Sequence, residues 1–227
     1  MNQPTFKYAF KATIPIMTGF IFLGTTYGIY MHQLGFNFIY PTLMAATIFG
    51  GSVEFVIGNL LLGKFNPWLA LILTLIINSR HLFYAISMLE QYKGTGKKKF
   101  FMIFGMCDET FAINYATKVP KGIDHKEFMF YVTVLDYCYW VSGAFLGGVL
   151  GGLITIKLPG LDFVMTALFI VLFANQFISE KSHFSSITGI IWTVLALFIV
   201  GPQYFLIVAL VMMVITLAIK YRREMVK

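Results

Sequence analysis

Runs of mostly apolar residues, each closed off by a short polar or Pro/Gly-bearing stretch, follow one another from Ala12 to Ile219. They cover about 12–31, 38–62, 67–89, 100–117, 128–156, 160–178, 184–200 and 203–219. Most reach the ~18 residues that cross about 30 Å of hydrocarbon at about 1.5 Å per residue. The connections are short: Gly63 to Pro67, Tyr92 to Lys99, Val119 to Glu127, Leu158-Pro159-Gly160, Ser179 to His183 and Gly201-Pro202. The pattern predicts an all-α fold, a polytopic transmembrane helical bundle of seven to eight segments forming one domain over residues 1–227. The first run has no small-residue cleavage pattern behind it and is expected to insert as the first helix.

Two segments are interrupted. The second is broken at Gly50-Gly51-Ser52, and the fourth is only weakly apolar after Cys107. Broken or re-entrant helices are therefore expected near 50–54 and 106–110, since non-helical backbone at membrane depth must line a cavity or be buried in protein. Charge bears on the same question. Eight full crossings with the N-terminus inside leave the Lys97 to Lys99 cluster outside. If segments two and four are instead re-entrant, Lys93 to Lys99 and Lys118 to Lys126 become cytoplasmic and only Lys64 and Lys157 lie outside. The positive-inside bias favours the second arrangement. Lys220, Arg222, Arg223 and Lys227 place the C-terminus in the cytoplasm on either one.

Composition agrees with a lipid bilayer as the medium: 58% hydrophobic residues, 12% charged and a mean hydropathy of +0.78. The formal net charge of +7 sits in loops and tails, so topology accounts for it and no nucleic-acid partner is implied. Cys107 and Cys138 fall within apolar segments and read as free packing thiols. A weak internal similarity relates Gly24, Gly28 and Ala45 to Phe55 with Gly147, Gly151 and Ala167 to Phe177, as in transporters built from repeats. Chance recurrence of glycine and phenylalanine is the alternative.

Polar residues at membrane depth carry the chemistry, because an unpaired charge at the bilayer centre costs at least about 2.5–3.5 kcal/mol. At Gly50-Gly51-Ser52-Val53-Glu54, the glycines let the backbone unwind, and a helix starting near Ser52 offers its N–H groups to an anion. A close crossing of small residues is the alternative, against which Glu54 speaks. In Asn78-Ser79-Arg80-His81, Arg80 needs an anionic partner: a substrate carboxylate, or Glu54, Asp108, Glu109 or Asp136. His81 could relay protons or fill a hydrogen-bonding slot. Asp108 and Glu109 lie on different faces about 100° apart, with Asn114 on the face of Thr110. Asp136, near Trp140, is a second protonatable site or a partner for Arg80. The glycines after it, Gly143, Gly147-Gly148 and Gly151-Gly152, read as packing positions. Desolvation favours the neutral form of a carboxyl group, so Glu54, Asp108, Glu109 and Asp136, with His81, are the proton-coupling candidates. Gly50, Gly51, Ser52, Glu54, Asn78 and Arg80 are the substrate-binding candidates.

Catalytic templates are missing: no His-Glu-x-x-His, no Gly-x-Ser-x-Gly, no zinc spacing and no phosphate loop. Asp108 and Asp136 lack the Gly-x-Gly-Asp pattern of intramembrane aspartyl proteases. No enzyme activity, metal or cofactor is expected.

Gly50-Gly51-Ser52-Val53-Glu54-Phe55, Asn78-Ser79-Arg80-His81-Leu82-Phe83-Tyr84 and Asp108-Glu109-Thr110-Phe111, in that order and spacing, resemble the AzlC family, large subunits of bacterial branched-chain amino acid exporters. The likeness runs over nearly the whole length, the last hundred residues matching mainly in hydropathy. It implies efflux of leucine, isoleucine, valine or similar amino acids across the bacterial plasma membrane by a proton-driven secondary transporter. It also implies a small AzlD-type membrane subunit of about a hundred residues as partner. Glu54 departs from the glutamine of many relatives. Two other classes remain open on the residues alone: a passive pore made by opposed re-entrant segments, and a membrane scaffold whose polar residues only bind the small partner.

Overall fold

The structure, a computed structural model, describes residues 3–64, 66–153, 170, 173–174, 177–178, 182–201 and 205–225. The described elements are helical, and the chain divides into two compact units, Met1–Met165 and Thr166–Lys227. Segment 160–178 and the second copy of the suggested repeat fall largely outside the described residues.

In the first unit α1 spans Gln3–Gln33, about 46 Å at 1.5 Å per residue. It starts nine residues before the apolar run, because Thr5 and Ala9 are buried in the bundle and extend the helix past Lys7 and Lys11. Segment two is split as expected: α2 (Ile39–Thr47) and α3 (Gly51–Leu60) flank a break at Ile48 to Gly50. Next, α4 (Pro67–Met88) begins with Pro67 at its first turn and Asn66 as cap, whose Oδ1 accepts from the Leu69 N–H at 3.1 Å. Segment four is split too, into α5 (Lys98–Phe104) and α6 (Asp108–Ala116). Finally, α7 covers His125–Leu153, with Asp124 Oδ1 accepting from the Lys126 and Glu127 N–H groups at 2.8 and 3.2 Å. Among the described residues, α1, α4 and α7 are the helices long and apolar enough to cross a membrane.

Contacts give the directions. Along α1 and α7, Phe6 meets Tyr131, Thr13 bonds Tyr139 at 3.2 Å, Gly24 lies on Ala144, and His32 lies on Gly151. These two helices therefore run parallel, almost backbone to backbone. Helix α2 runs the other way: Phe38 packs on Phe145, whereas Ala46 and Phe49 reach Tyr137. Helix α3 then returns, from Gly51 beside Trp140, through Phe55 against Tyr27 and Tyr30, to Gly58 against Met31. Segment two is thus a helical hairpin that leaves at the end where it entered.

Segment four is a hairpin of the opposite sense. Lys98 pairs with Glu127 and Phe101 packs on Phe130 near the start of α7, while Phe104 reaches Tyr137. From there α6 runs back, Thr110 beside Asp136, Phe111 stacked on Tyr84, Asn114 on Tyr92. Each hairpin is followed by one long helix leaving for the opposite end, so α2–α3–α4 and α5–α6–α7 form an inverted pair. The tips meet at Tyr137, whose ring packs on Phe49 and Phe104. Among the described residues, one end of the unit gathers Lys7, Lys11, Lys93, Lys97, Lys98, Lys99, Lys118, Lys121 and Lys126, and the other holds Lys64; Lys157 lies outside the described residues.

The second unit contains α8 (Phe184–Val200), matching its predicted bounds, and α9 (Phe205–Met225). They pack antiparallel, with Trp192 Nε1 donating to Thr216 Oγ1 at 2.9 Å and Lys220 Nζ over the Phe184 ring at 4.0 Å.

Candidate functional site

At the first break the chain turns through Phe49, which takes a left-handed φ of 47°, unusual for a bulky residue. Glu54 closes the turn. Fully buried, it reaches back so that Oε1 accepts from the Gly50 N–H at 2.8 Å, capping its own helix. Trp140 Nε1 donates to the same carboxylate at 3.1 and 3.2 Å. The helix start offered by the sequence to an anion thus carries the chain's own carboxylate. Ser52 is buried, and Gly51 faces the Trp140 ring. A Cβ on Gly50 would lie 2.9 Å from Asn78 Nδ2 and would push that side chain aside. Asn78 therefore stands against the first break.

At the second break Asp108 opens α6 and pairs with Arg80 across from α4, Oδ2 to Nη1 at 2.8 Å. Of the four carboxylates considered for Arg80, this is the one it holds. The side chains are 34% and 24% exposed, so the pair is partly open. Yet Arg80 Nε, Asp108 Oδ1 and Asn78 Oδ1 are all buried without a hydrogen-bond partner. One unused donor and two unused acceptors surround a single ion pair. Tyr84 and Phe111, stacked at 4.5 Å, wall it on one side, and His81 lies edge-on to Tyr84. Glu109 is half-buried on the neighbouring face.

Asp136 takes the other face of α6. It is fully buried, and Thr110 Oγ1 donates to its Oδ2 at 2.8 Å. Asn114 shares the Thr110 face as expected, buried with Nδ2 donating to the Tyr92 hydroxyl at 3.3 Å. Cys107 and Cys138 are free thiols.

Three contacts at the candidate site escaped the sequence reading: Trp140 as partner of Glu54, Thr110 as partner of Asp136, and Tyr137 between the hairpin tips. Asp136 and Trp140 are one turn apart on α7, so the same face serves both breaks. That spacing was the available signal. Trp140→Phe leaves the Glu54 carboxylate buried without its indole donor and is expected to destabilise by about 1–3 kcal/mol. Glu54→Gln combined with Trp140→Phe should cost less than the sum of the single changes, measured by thermal unfolding in detergent.

The opposed hairpins, the three long apolar helices and the polar cluster at the tips define a polytopic helical membrane protein built around broken helices. The chain belongs to the AzlC family: the family model described as AzlC protein matches residues 15–154. It is 56% identical over 205 residues to the branched-chain amino acid transport protein AzlC of Bacillus subtilis, covering 90% of this chain and 81% of that one. An uncharacterized membrane protein of Haemophilus influenzae is 45% identical over 206 residues, 90% and 84% of the two chains. The inner membrane protein YgaZ of Escherichia coli is 25% identical over 189 residues, 80% and 77%. No solved structure matches.

Proposed function

We propose that this protein is the large subunit of a secondary transporter that exports branched-chain or similar amino acids across the plasma membrane. It is driven by the proton gradient and works with a small AzlD-type membrane partner. The name of the Bacillus relative supports the substrate class. The observation that carries the reading is the Arg80–Asp108 pair with its unused Nε donor and Oδ1 acceptor. An amino acid is a zwitterion. Its carboxylate takes the Arg80 fork in two-point fashion, and its ammonium takes Asp108 with Asn78, so ligand charges replace the ion pair without leaving either side chain unpaired.

Glu54, with both oxygens engaged, ties the first break to α7, and Gly50, Gly51 and Ser52 form the joint that yields. Rocking of the inverted pair about Tyr137 alternates access. The second and fourth apolar segments are read as hairpins and the first, third and fifth as crossings. The lysine-rich end of the first unit faces the cytoplasm, as does the C-terminus. Green fluorescent protein fused at the C-terminus should fluoresce and alkaline phosphatase there should be inactive; the reverse pattern would invert the topology.

The test loads cells with a leucine- or valine-containing dipeptide and follows the amino acid appearing outside, with this chain alone and with the small partner. Efflux that requires the partner and collapses with an uncoupler supports the proposal. Equilibration indifferent to the uncoupler identifies the passive pore instead, and no transport with intact partner binding identifies the scaffold.

A further inference from the structure

We infer that Asp136 is the site of the coupling proton and that the first turn of α6 links it to substrate binding; this rests on the transport reading above. The buried carboxylates are not equivalent. Glu54 accepts from the Gly50 N–H and the Trp140 indole, and Asp108 faces Arg80. Asp136 is fully buried, has one neutral donor in Thr110, and leaves Oδ1 buried without a partner. Among the described residues no cation pairs with it. The titratable groups facing it add no positive charge: Glu109 from α6, Cys107 from the break, and Tyr139 from α7. A carboxylate in that setting has no counter-charge except one it binds, and a proton on Oδ1 supplies it.

Substrate and proton then meet on one element. Asp108 and Thr110 are two residues apart in the first turn of α6, the first holding Arg80 and the second holding Asp136. A zwitterion that parts Arg80 from Asp108 shifts that turn, and the shift withdraws Thr110 from Asp136. Water reaches the carboxyl, its O–H bond breaks, and the proton passes to water, leaving the carboxylate; rebinding from the other side reverses the step. The amino acid leaves chemically unchanged.

The experiment reconstitutes the protein with its small partner in vesicles containing a pH dye. Exchange of labelled for unlabelled leucine is measured beside net transport driven by a pH gradient. Asp136→Asn should lower gradient-driven transport and leucine-dependent proton movement at least tenfold while leucine exchange still proceeds. Asp136→Glu, which keeps a carboxyl and serves where the amide variant fails to insert, should shift the pH of half-maximal net transport. Asp136→Asn that still moves protons with leucine overturns the assignment, as do an unshifted profile in Asp136→Glu and loss of exchange together with net transport. So does wild-type transport that follows a sodium gradient and ignores pH. A wild type that exchanges no amino acid fails earlier, removing the transport reading itself.

Discussion

Arg80→Ala is expected to reduce leucine efflux at least ~100-fold with the protein still present in the membrane. Two charge-assisted hydrogen bonds from the guanidinium are removed at about 1.5–3 kcal/mol each, and each 1.4 kcal/mol is tenfold in affinity. Stability is the competing effect, because the change strands Asp108 in a partly buried position. Arg80→Ala with Asp108→Ala separates the two. The double variant removes the stranded charge and should recover most of the lost thermal stability, yet remain inactive. Arg80→Lys keeps the charge but loses the fork, and should export poorly with a raised half-saturating leucine concentration. Efflux in Arg80→Ala at the wild-type rate would sink the assignment of the substrate carboxylate to this residue.

Gly147→Leu should be the most damaging change outside the polar cluster. A Cβ on Gly147 would lie 2.0 Å from the Thr25 carbonyl oxygen, and one on Gly28 would lie 2.3 Å from the Gly148 nitrogen. These contacts are backbone, with no rotamer to turn aside, so α1 and α7 must separate. In the membrane such a pair is held by close packing, and separation forfeits it along the whole interface. Overpacking costs typically 1–3 kcal/mol per site and occasionally more, and each kcal/mol lowers the midpoint of a chain this size by about 2–4 °C. At the top of that range, about 3 kcal/mol, a loss of about 6–12 °C or failure to accumulate is expected, measured by retention of monodisperse protein after heating in detergent. Gly19→Ala is the control. Nothing lies within 4 Å of a Cβ there, so it should leave the midpoint unchanged or slightly raised. Equal effects at Gly147 and Gly19 would mean that helix propensity and not interhelical contact decides.

The uncharged Gly50-Gly51 pair and the Asp108-Glu109 pair, set inside apolar runs, marked both helix breaks, because neither unwound backbone nor adjacent carboxylates fit a plain lipid-facing helix. Lysine counting bore on hairpins against crossings for a related reason: among the described residues, one end of the first unit collects nine lysines against Lys64 at the other. Arg80 announced itself as a charge needing an anion. Helical character, the breaks and the polar residues at membrane depth are properties of single segments and their cost in hydrocarbon, so a linear reading reaches them.

Which groups meet is a property of pairs. Four carboxylates were open to Arg80, and the end of α6 brought to α4 selected Asp108. Glu54 and Trp140 are 86 positions apart, Thr110 and Asp136 are 26 apart, and no spacing rule connects either pair. Their meeting depends on α1 and α7 running parallel at glycine distance and on the two hairpin tips closing on Tyr137. Helix propensity and hydropathy act within a segment and are written in it, whereas partner choice among like groups is decided only when the packed backbones bring one of them within hydrogen-bond reach.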